Sequence, residues 1–424
     1  AACRNQKKFN ERFLEKADDK NLVFIQYDAT SVFESDIHFD FIIHGASNAS
    51  PSKIGAEPLQ TFRANVYGTE QMLNLAIKNK CRLLFVSSSE VYGILQNQRE
   101  PIKENQYGFI DILNPRNSYA ESKRAAESLC CSYKSQFGLD FVIVRPGHIY
   151  GPCASVTDNR VSSKFMFDAV KRRDLVLKSE GKQIRSYCYV LDCASAILSV
   201  LTTGKTGEAY NISNHNSILS VRKMAGFFAK AGGVKVLFDI PSNAEKQNFN
   251  PMINSSLDSR KLEALGWKPV FEREEGFLNS VKIIREAMQN LREMQLLIVK
   301  MMKAVDELFR ENNIRYFIIG GSVLGAVRHQ GFIPWDDDMD IAVMRPDFSR
   351  AEELLSSLKE YIYEPTEKHI IPDGPTGHLR FVNENWNIEN SPTIDVFALD
   401  GVPDNIHQEK IWKRFLITQN FYHL

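Results

Sequence analysis

The chain has 424 residues, and its 43% hydrophobic and 25% charged content is typical of a soluble protein with two or three domains. Lys plus Arg and Asp plus Glu both number 52, so no net charge favours a nucleic acid or an acidic membrane as the partner. No apolar run is long enough to cross a bilayer, and seven cysteines without C-x-x-C spacing or a secretory signal predict a cytoplasmic protein, with attachment to the inner face of the membrane left open.

The first part of the chain alternates strand-like and helix-like patterns. Short apolar runs predict strands at 22–25, 41–44, 83–86 and 141–144. Runs this apolar are typical of strands buried on both faces of a parallel sheet. Helical patterns separate them, for example at 62–80 and 118–137. This alternation predicts a doubly wound α/β domain.

The pattern changes near residue 287, where we place the domain boundary. From about 281 to 312, apolar residues recur every three or four positions, which predicts one long amphipathic helix. A strand predicted at 316–319 then enters a Gly-Gly-Ser turn. We predict domains at 1–287 and 288–424.

Tyr119 and Lys123 carry the first candidate chemistry. They stand four residues apart at the start of a predicted helix, and therefore share one helix face. A nearby ammonium group favours the phenolate and lowers the pKa of a tyrosine, so we predict that Tyr119 acts as a general base towards a substrate hydroxyl. Ser88 lies just beyond the strand predicted at 83–86, at the end where α/β sheets place ligands.

Around these residues the chain resembles the extended short-chain dehydrogenase/reductase family, which includes nucleotide-sugar epimerases, dehydratases and decarboxylases. The resemblance covers about residues 1–285 and rests on ordered motifs at 85–93, 118–123, 145–152, 181–192 and 265–269. It implies a Rossmann-like parallel sheet and reversible oxidation of a sugar carbon by NAD or NADP. That oxidation makes epimerisation, elimination or decarboxylation of the sugar possible.

The resemblance also implies residue roles. Ser88 would bind the substrate oxygen, Tyr119 would be the base, and Lys123 would support Tyr119 and hold the nicotinamide ribose. Glu90 joins the catalytic set, and Arg185 would lie near the phosphates of a nucleotide sugar. The cofactor wall would consist of Arg4, Asp28, His44, Ala46, Asn65, Lys123 and Pro146.

The sequence departs from the family pattern at several positions, which bear on the predicted sheet, the cofactor and the type of reaction. The glycine-rich G-x-x-G-x-x-G turn and the strand before it are absent, so we expect a sheet lacking its first strand, in a fragment cut at both ends. Arg4 stands near the position where the family usually has an acid for the adenosine ribose, which leaves NAD and NADP open. Ser89 replaces the aspartate of the dehydratases. Ser-Ser-Glu with Arg185 looks most like the UDP-glucuronate decarboxylases, with 4-epimerases a close second.

Asp338 and Asp340 carry the second candidate chemistry. They are separated by one residue at the start of an apolar run at 341–343, and positions i and i+2 of a strand point to one face. Two carboxylates on one face predict a site for one or two Mg²⁺ ions. Asp395 would bring a third carboxylate from a neighbouring strand.

The Gly-Gly-Ser turn precedes these carboxylates. Gly321 and Ser322 would let a phosphate approach the backbone closely. The layout predicts metal-assisted phosphoryl transfer. It leaves Asp336 and Asp337 as turn or supporting residues.

The block at 320–343 resembles the LicD family, relatives of fukutin, within the α+β nucleotidyltransferase fold. The resemblance covers about 288–424 and includes the Ile-Asp-Val-Phe motif around Asp395. It implies transfer of a phospho-alcohol, such as phosphocholine, from a CDP-activated donor to a glycan hydroxyl. Asp338 and Asp340 would hold Mg²⁺, and Asp395 would be the third ligand or the base. Arg328 would clamp a phosphate.

The two halves together predict a bifunctional enzyme of surface-glycan biosynthesis. Its partners would be a nucleotide sugar such as a UDP-sugar, a CDP-alcohol donor and a glycan acceptor, without nucleic acid; a homodimer through the first domain is left open. Two other hypotheses stay open. Either only the LicD-like half is active beside a binding or structural module, or the chain is a non-catalytic scaffold. The presence of Ser88, Tyr119, Lys123 and the three aspartates argues against the scaffold.

Overall fold

The computed structural model describes residues 1–6, 9–10, 13, 20–96, 98–156, 158–240, 253–365, 377–383, 386 and 391–399. The chain divides into two compact units, Ala1–Ile284 and Arg285–Leu424.

In the first unit, short strands alternate with longer helices. Its strands are β1 (Ala2–Cys3), β2 (Ile25–Gln26), β3 (Phe41–His44), β4 (Arg82–Val86), β5 (Phe141–Pro146), β6 (His148–Tyr150), β7 (Leu175–Leu177), β8 (Ile184–Tyr189), β9 (Ala209–Ile212), β10 (Ile218–Ser220) and β11 (Val236–Phe238). Its helices are α1 (Pro51–Ala56), α2 (Pro58–Asn79), α3 (Ser118–Phe137), α4 (Val161–Val170), α5 (Val190–Thr203), α6 (Val221–Gly232) and α7 (Arg260–Glu263). Short 3₁₀ helices span Ser89–Tyr92, Pro115–Asn117 and His215–Ser217.

Parallel strands form the centre of the first unit. β3, β4, β5 and β9 are neighbours in that order in one parallel sheet, and β1 pairs with β2 in a separate parallel pair. Smaller sheets have the orders β10-β8-β6 and β11-β7. The predicted α/β class is confirmed.

Helices cover both faces of the parallel sheet, as residues of β4 show. Leu83 and Phe85 belong to a buried cluster that includes Met72 of α2 and Ala126 of α3. Leu84, between them in sequence, belongs to another cluster with Val200 of α5. Because alternate residues of a strand point to opposite faces, the sheet has a helical layer on each side. This explains why the run is apolar at every position.

The parallel sheet is interrupted between β1 and β3. A cavity of about 830 Å³ is lined by residues of both strands. Phe41 and Ile43 of β3 are 52% and 47% exposed, although parallel strands normally bury such side chains. In a doubly wound sheet of order 3-2-1-4-5-6, the strand between these two positions is the first. The interruption thus falls at the position of the first strand of such a sheet.

Two predicted elements differ at their ends. Of the strand predicted at 22–25, only Ile25 is paired, and the observed strand continues to Gln26. The helix predicted at 62–80 begins earlier, at Pro58, because proline is well suited to the first helical position. It ends before Lys80, which adopts a left-handed conformation with a φ of 53°.

The second unit is an α+β domain. The long helix α8 (Glu275–Glu311) begins in the first unit and ends in the second, and is followed by β12 (Tyr316–Ile318), α9 (Gly320–His329), β13 (Asp338–Met344), α10 (Arg345–Ser356), β14 (Ile362–Pro365), β15 (Gly377–Arg380) and β16 (Thr393–Leu399). The sheet order is β12-β13-β16-β15-β14. β13 and β16 are parallel, whereas the other neighbours are antiparallel.

The apolar stripe of α8 packs the core of the second unit. Ile298, Met301 and Val305 are buried in one cluster with Ile341 and Val343 of β13. The stripe predicted from the sequence therefore serves packing. Although α8 has 37 residues, neither it nor any other described helix is apolar enough to span a lipid bilayer.

Candidate active sites

Ser88, Glu90 and Tyr119 lie together just beyond the carboxyl end of β4. Ser88 caps the 3₁₀ helix Ser89–Tyr92, and its Oγ accepts a hydrogen bond from the backbone N–H of Glu90 at 3.2 Å. Tyr119, in the first turn of α3, is 7% exposed. Its side chain is hydrogen bonded to Ser88 and close enough to Glu90 for their charges to interact. The structure thus brings together three members of the predicted catalytic set.

Burial dominates the ionisation of Tyr119. Removal from water raises the pKa of Tyr119 to about 12, against the lowering effect of the Ser88 hydrogen bond and with a further rise from Glu90. The prediction that Lys123 lowers this pKa is wrong for the protein alone. Lys123 Nζ lies 5.9 Å from the centroid of the Tyr119 ring, and desolvation of the phenolate is the largest influence on this pKa. Tyr119 is therefore a protonated phenol near neutral pH.

Lys123 is only 2% exposed. Its Nζ donates a hydrogen bond to the carbonyl oxygen of Val86 at 2.8 Å and lies 4.7 Å from the centroid of the Phe85 ring. Burial lowers the pKa of Lys123 to about 7, and Glu127 opposes this shift. A buried amine that titrates near neutrality is more typical of a functional site than of a surface lysine.

Glu90 lies at the rim of this group. Its side chain is exposed, yet desolvation by the surrounding protein raises the pKa of its carboxyl group, with Arg116 opposing. Glu90 thus combines contact with solvent, through which a proton can be exchanged, and a raised pKa. Both properties suit a group that donates a proton to a substrate.

Four of the predicted cofactor residues line the cavity between β1 and β3. They are Arg4, Asp28, His44 and Ala46. Arg4 Nη1 lies 3.9 Å from Asp28 Oδ2, in an exposed ion pair. The cavity therefore presents one cation and one carboxylate side by side.

Buried polar atoms near this cavity fit a polar ligand. His44 Nε2, Ser47 Oγ and Asn65 Oδ1 are buried and have no hydrogen-bond partner in the described parts of the chain. Burial lowers the pKa of His44 to about 3, so its imidazole is neutral. Since native proteins seldom leave buried polar atoms unsatisfied, these atoms are suited to binding a dinucleotide, whose sugars and amide offer matching groups.

Asn65 and Pro146 do not line this cavity. Asn65 is fully buried in α2, and its Nδ2 donates a hydrogen bond to Ser122 Oγ of α3 at 2.8 Å. Pro146 is the last residue of β5. The structure therefore gives Asn65 a packing contact between two helices as well as an unsatisfied oxygen.

Arg185 lies in β8 and is 8% exposed. Burial, Arg185 and Arg160 together lower the pKa of His148 to about 4, and Arg160 also lowers the pKa of Tyr119. The charge of Arg160 thus influences Tyr119, the predicted base, and also His148, which Arg185 influences as well. Arg160 belongs to none of the sequence motifs, so no signal in the sequence predicted a role for it.

Asp338, Asp340 and Asp395 form the acidic cluster of the second unit. Asp340 of β13 is paired in register with Asp395 of the parallel strand β16. One carboxylate oxygen from each aspartate can be chosen so that all three lie within 4.8 Å of one another. Oxygen ligands at such separations can share a divalent cation. The residues therefore fit the predicted Mg²⁺.

Crowding and burial disfavour the charged forms of these carboxyl groups. Burial, followed by Asp340 and Asp395, raises the pKa of Asp338 to about 7. Burial and Asp395 raise the pKa of Asp340 to about 6, and the backbone N–H of Gly321 opposes the shift. A cation bound among them would remove this repulsion.

Asp338→Asn should stabilise the metal-free second unit at alkaline pH. Because folding raises the pKa of Asp338 from 3.8 to about 7, its contribution to stability is present below the unfolded-state pKa and is lost as the pH rises through the folded-state pKa. In EDTA, calorimetry should show wild-type melting falling from about pH 5 to about pH 8, with the variant about 2–4 °C higher at the upper pH after allowance for solvent screening. Glu353→Gln, on exposed α10 surface, is the control. A pH slope unchanged by Asp338→Asn would contradict the argument.

Residues 320–322 begin α9 and do not form the predicted Gly-Gly-Ser turn. Gly320 has a φ of 57°, and a Cβ there would lie 2.6 Å from Asp340 Oδ2. The N–H of Gly321 donates to the Asp340 carboxylate, and Ser322 Oγ accepts from the Asp340 N–H at 2.8 Å. The turn prediction is wrong because amides at the start of a helix need acceptors, and Asp340 supplies one. The Ser322 hydroxyl can still donate its hydrogen to a phosphate.

Arg328 is separated from Gly321 and Ser322 by most of α9. It lies exposed in the last turn of that helix, about 10 Å from Gly321 along the axis at the usual rise per residue. The structure thus places these predicted phosphate-binding residues at opposite ends of one helix.

Two residues outside the predicted sites contact the acidic cluster or the segment that leads into it. Gln295 of α8 is 4% exposed and donates its side-chain amide to the carbonyl oxygens of Ile333 at 3.3 Å and Asp336 at 2.9 Å. His378 of β15 has its Nδ1 2.7 Å from Asp395 Oδ1. Gln295 stands in the helix that opens the LicD resemblance, but no local signal links either residue to the aspartates.

The fold and these two groups of residues define a fusion of a doubly wound α/β domain with an α+β domain. The profile of the NAD dependent epimerase/dehydratase family matches residues 4–213. The profile of the LicD/FKTN/FKRP nucleotidyltransferase domain matches residues 313–422. Both predicted resemblances are confirmed.

Similar proteins establish the family of the first unit. UDP-glucuronic acid decarboxylase 1 of Xenopus tropicalis is 31% identical over 257 residues, which cover 60% of this chain and 59% of that protein. UDP-glucuronic acid decarboxylase 3 of Arabidopsis thaliana is 32% identical over 243 residues, which cover 57% of this chain and 68% of that protein. The chain belongs to the NAD-dependent epimerase/dehydratase family and carries a LicD domain. It spans 59% to 68% of the length of these relatives.

Solved structures share the fold of the first unit. dTDP-glucose 4,6-dehydratase from Bacillus anthracis, in complex with NAD, has a TM-score of 0.54 at 20% identity, with 65% of this chain and 84% of that chain covered. UDP-glucose 4-epimerase from Thermotoga maritima, with UDP-glucose, has a TM-score of 0.52 at 21% identity, with 59% and 78% covered. At these identities the likeness concerns the fold alone.

Proposed function

We propose that the chain is a bifunctional enzyme of surface-glycan biosynthesis. Its first half converts a nucleotide sugar with NAD or NADP, and its second half transfers a phospho-alcohol of the phosphocholine type from a CDP-activated donor to a glycan hydroxyl with Mg²⁺. The first activity is supported by the proximity of Ser88 and Glu90 to Tyr119. The second is supported by three carboxylates whose oxygens lie within 4.8 Å.

In the first half, Tyr119 removes the proton from a sugar hydroxyl while Ser88 binds the same oxygen. A bound nicotinamide would supply the oxidising power, as the acceptor of the hydride from the sugar carbon. The pKa of Tyr119, about 12 in the protein alone, must fall for this step. Lys123 belongs to the same predicted catalytic set as Tyr119, and its charged form favours the phenolate. Arg160 acts in the same direction.

UDP-glucuronic acid is the substrate that we favour for the first half. It is the acid in the names of both relatives. Oxidation of the hydroxyl-bearing carbon next to the carbon that carries the carboxylate gives a β-keto acid. That acid loses CO₂, the carbon that carried the carboxylate takes up a proton, and a hydride returned from the reduced cofactor would convert the ketone back to a hydroxyl. Epimerisation at the oxidised carbon is the alternative, because it uses the same base and the same Ser88.

In the second half, Asp338 and Asp340 would hold Mg²⁺, which would neutralise negative charge on the phosphates of the donor. Asp395 is the third ligand, or it accepts the proton of the attacking glycan hydroxyl. A new bond forms between that oxygen and the phosphorus of the phospho-alcohol, and the bond from this phosphorus to CMP breaks. Ser322 and Gly321 bind phosphate oxygens beside the aspartates, whereas Arg328, at the opposite end of α9, binds a group of the donor or the acceptor about 10 Å away.

A second candidate function is that only the LicD domain is active. The interrupted sheet favours it, since Phe41 and Ile43 are exposed beside the cavity that holds Arg4 and Asp28. The first half would then be a binding or structural module. The exposed pair of Arg4 with Asp28 leaves NAD and NADP as equal candidates for the cofactor.

The proposal also includes a cytoplasmic location and allows a homodimer through the first domain. All seven cysteines lie in the described ranges, and no disulfide joins them. Thiols in that state are usual in a reducing compartment.

Two product assays on the purified protein test the proposal. With UDP-glucuronic acid and NAD or NADP we expect release of CO₂ and a shortened UDP-sugar. With CDP-choline, a glycan acceptor and Mg²⁺ we expect CMP, and EDTA should stop its release. CMP formation with no change in any UDP-sugar would favour the second candidate function. Absence of both products would overturn both.

A further inference from the structure

We propose that His378 is a positioning residue of the metal centre in the second unit. It holds the Asp395 carboxylate in the orientation that lets it share a cation with Asp338 and Asp340. This inference rests on the proposed function of the LicD domain. It assigns a role to a residue outside every motif identified in the sequence.

The sheet places His378 beside Asp395. β15 and β16 are antiparallel neighbours, and His378 stands directly opposite Asp395 in their register. Side chains directly opposite each other lie on the same face of a sheet. The His378 Nδ1 to Asp395 Oδ1 distance is 2.7 Å, and the two side chains are 25% and 17% exposed. Water therefore competes only partly with this contact.

Asp395 occupies the middle of a row across three strands. The order β13-β16-β15 places β16 between the other two. Asp395 is in register with Asp340 on one side and with His378 on the other. His378 thus contacts Asp395 from the side opposite to the carboxylates with which it would bind a cation.

The chemistry of the two groups determines which is the hydrogen-bond donor and which is the acceptor. An ionised carboxylate only accepts hydrogen bonds, so the proton lies on His378 Nδ1 and is donated to Oδ1. The other oxygen and the remaining lone pairs of Asp395 stay available to a cation. Without this donor, Asp395 would be free to turn away from two carboxylates whose oxygens lie within 4.8 Å. Hydrogen bonds of this kind orient metal ligands, and their loss typically weakens metal binding about 10- to 100-fold.

Two substitutions of His378 test this role through metal affinity alone. His378→Ala removes the donor, whereas His378→Asn places an amide nitrogen close to the position of Nδ1. With Mn²⁺ as the probe, titrated by electron paramagnetic resonance without any substrate, the Ala variant should bind about 10- to 100-fold more weakly than wild type. The Asn variant should recover most of the affinity. Should the Ala variant not fold, the Asn variant still reports on the hydrogen bond.

The chain offers a matched control in its first unit. His215 Nδ1 lies 2.8 Å from Glu263 Oε1, so His215→Ala removes a similar contact and should leave Mn²⁺ binding unchanged. Failure of wild type to bind Mn²⁺ would overturn the proposed function of the LicD domain. Tight binding by His378→Ala, with wild type also binding, would overturn the positioning role alone. An Asn variant as weak as the Ala variant would overturn the hydrogen-bond assignment.

Discussion

Asp340→Asn should abolish Mg²⁺-dependent release of CMP from a CDP-alcohol, with a loss in rate of about 10³-fold or more, since a bound metal contributes several kcal/mol of charge stabilisation. Asp340 contacts both the start of α9 and the neighbouring strand β16. Its carboxylate accepts from Gly321 N–H, its own N–H donates to Ser322, and it is paired in register with Asp395. Asparagine has nearly the same shape and keeps an acceptor for Gly321. The loss would therefore reflect the missing negative charge.

The measurement is CMP release as a function of Mg²⁺ concentration, alongside Mn²⁺ affinity. Asp347→Asn is the matched substitution, because Asp347 lies in the first turn of α10 and outside the acidic cluster. It should leave both quantities unchanged. Wild-type CMP release by Asp340→Asn would rule out the metal site. Loss of CMP release with normal Mn²⁺ affinity would also contradict it, because the two must fall together.

Tyr119→Phe should stop conversion of the UDP-sugar, with a fall in kcat of about 10²- to 10⁴-fold, the usual contribution of a general base. The substitution removes only the hydroxyl that is hydrogen bonded to Ser88. The ring is 7% exposed and keeps its packing. We therefore expect KM to change little, as for a group that acts mainly in the transition state.

The same helix supplies the control for this experiment. Tyr133 of α3 donates its hydroxyl to Asn74 Oδ1 at 3.0 Å in an exposed contact, so Tyr133→Phe removes a similar hydrogen bond away from Ser88. It should leave kcat unchanged. If the protein converts the UDP-sugar and Tyr119→Phe does so at the same rate, Tyr119 is not the base. If the protein itself converts no UDP-sugar while it releases CMP, the function with an active LicD domain alone is preferred.

Much of the fold follows from local patterns. The runs at 83–86 and 141–144 had to be apolar at every position, because helices cover both faces of the parallel sheet to which β4 and β5 belong. The stripe of α8 could be recognised for a similar reason, since one face of a helix packs the core. The start of α2 and the exact length of β2 could not be read so well, because the ends of elements depend on capping and on strand partners.

The candidate sites also combine features that the sequence predicted with features that depend on the folded domain. Spacing alone placed Tyr119 and Lys123 on one helix face and Asp338 and Asp340 on one strand face, because these relations depend only on the geometry of a single element. Ionisation could not be predicted from spacing. The pKa of Tyr119 is raised to about 12 because desolvation depends on how much protein surrounds the group, and this is a property of the packed domain.

Motifs along the chain were enough to predict an epimerase/dehydratase-like half joined to a LicD-like half, and to identify most members of both candidate sites. Those conclusions rest on residues that are near one another along the chain. The folded domain was needed to show that residues 320–322 begin a helix that contacts Asp340, and that His378 contacts Asp395. The physical reason is that strand register and helix docking bring together atoms whose separation along the chain carries no signal of their contact.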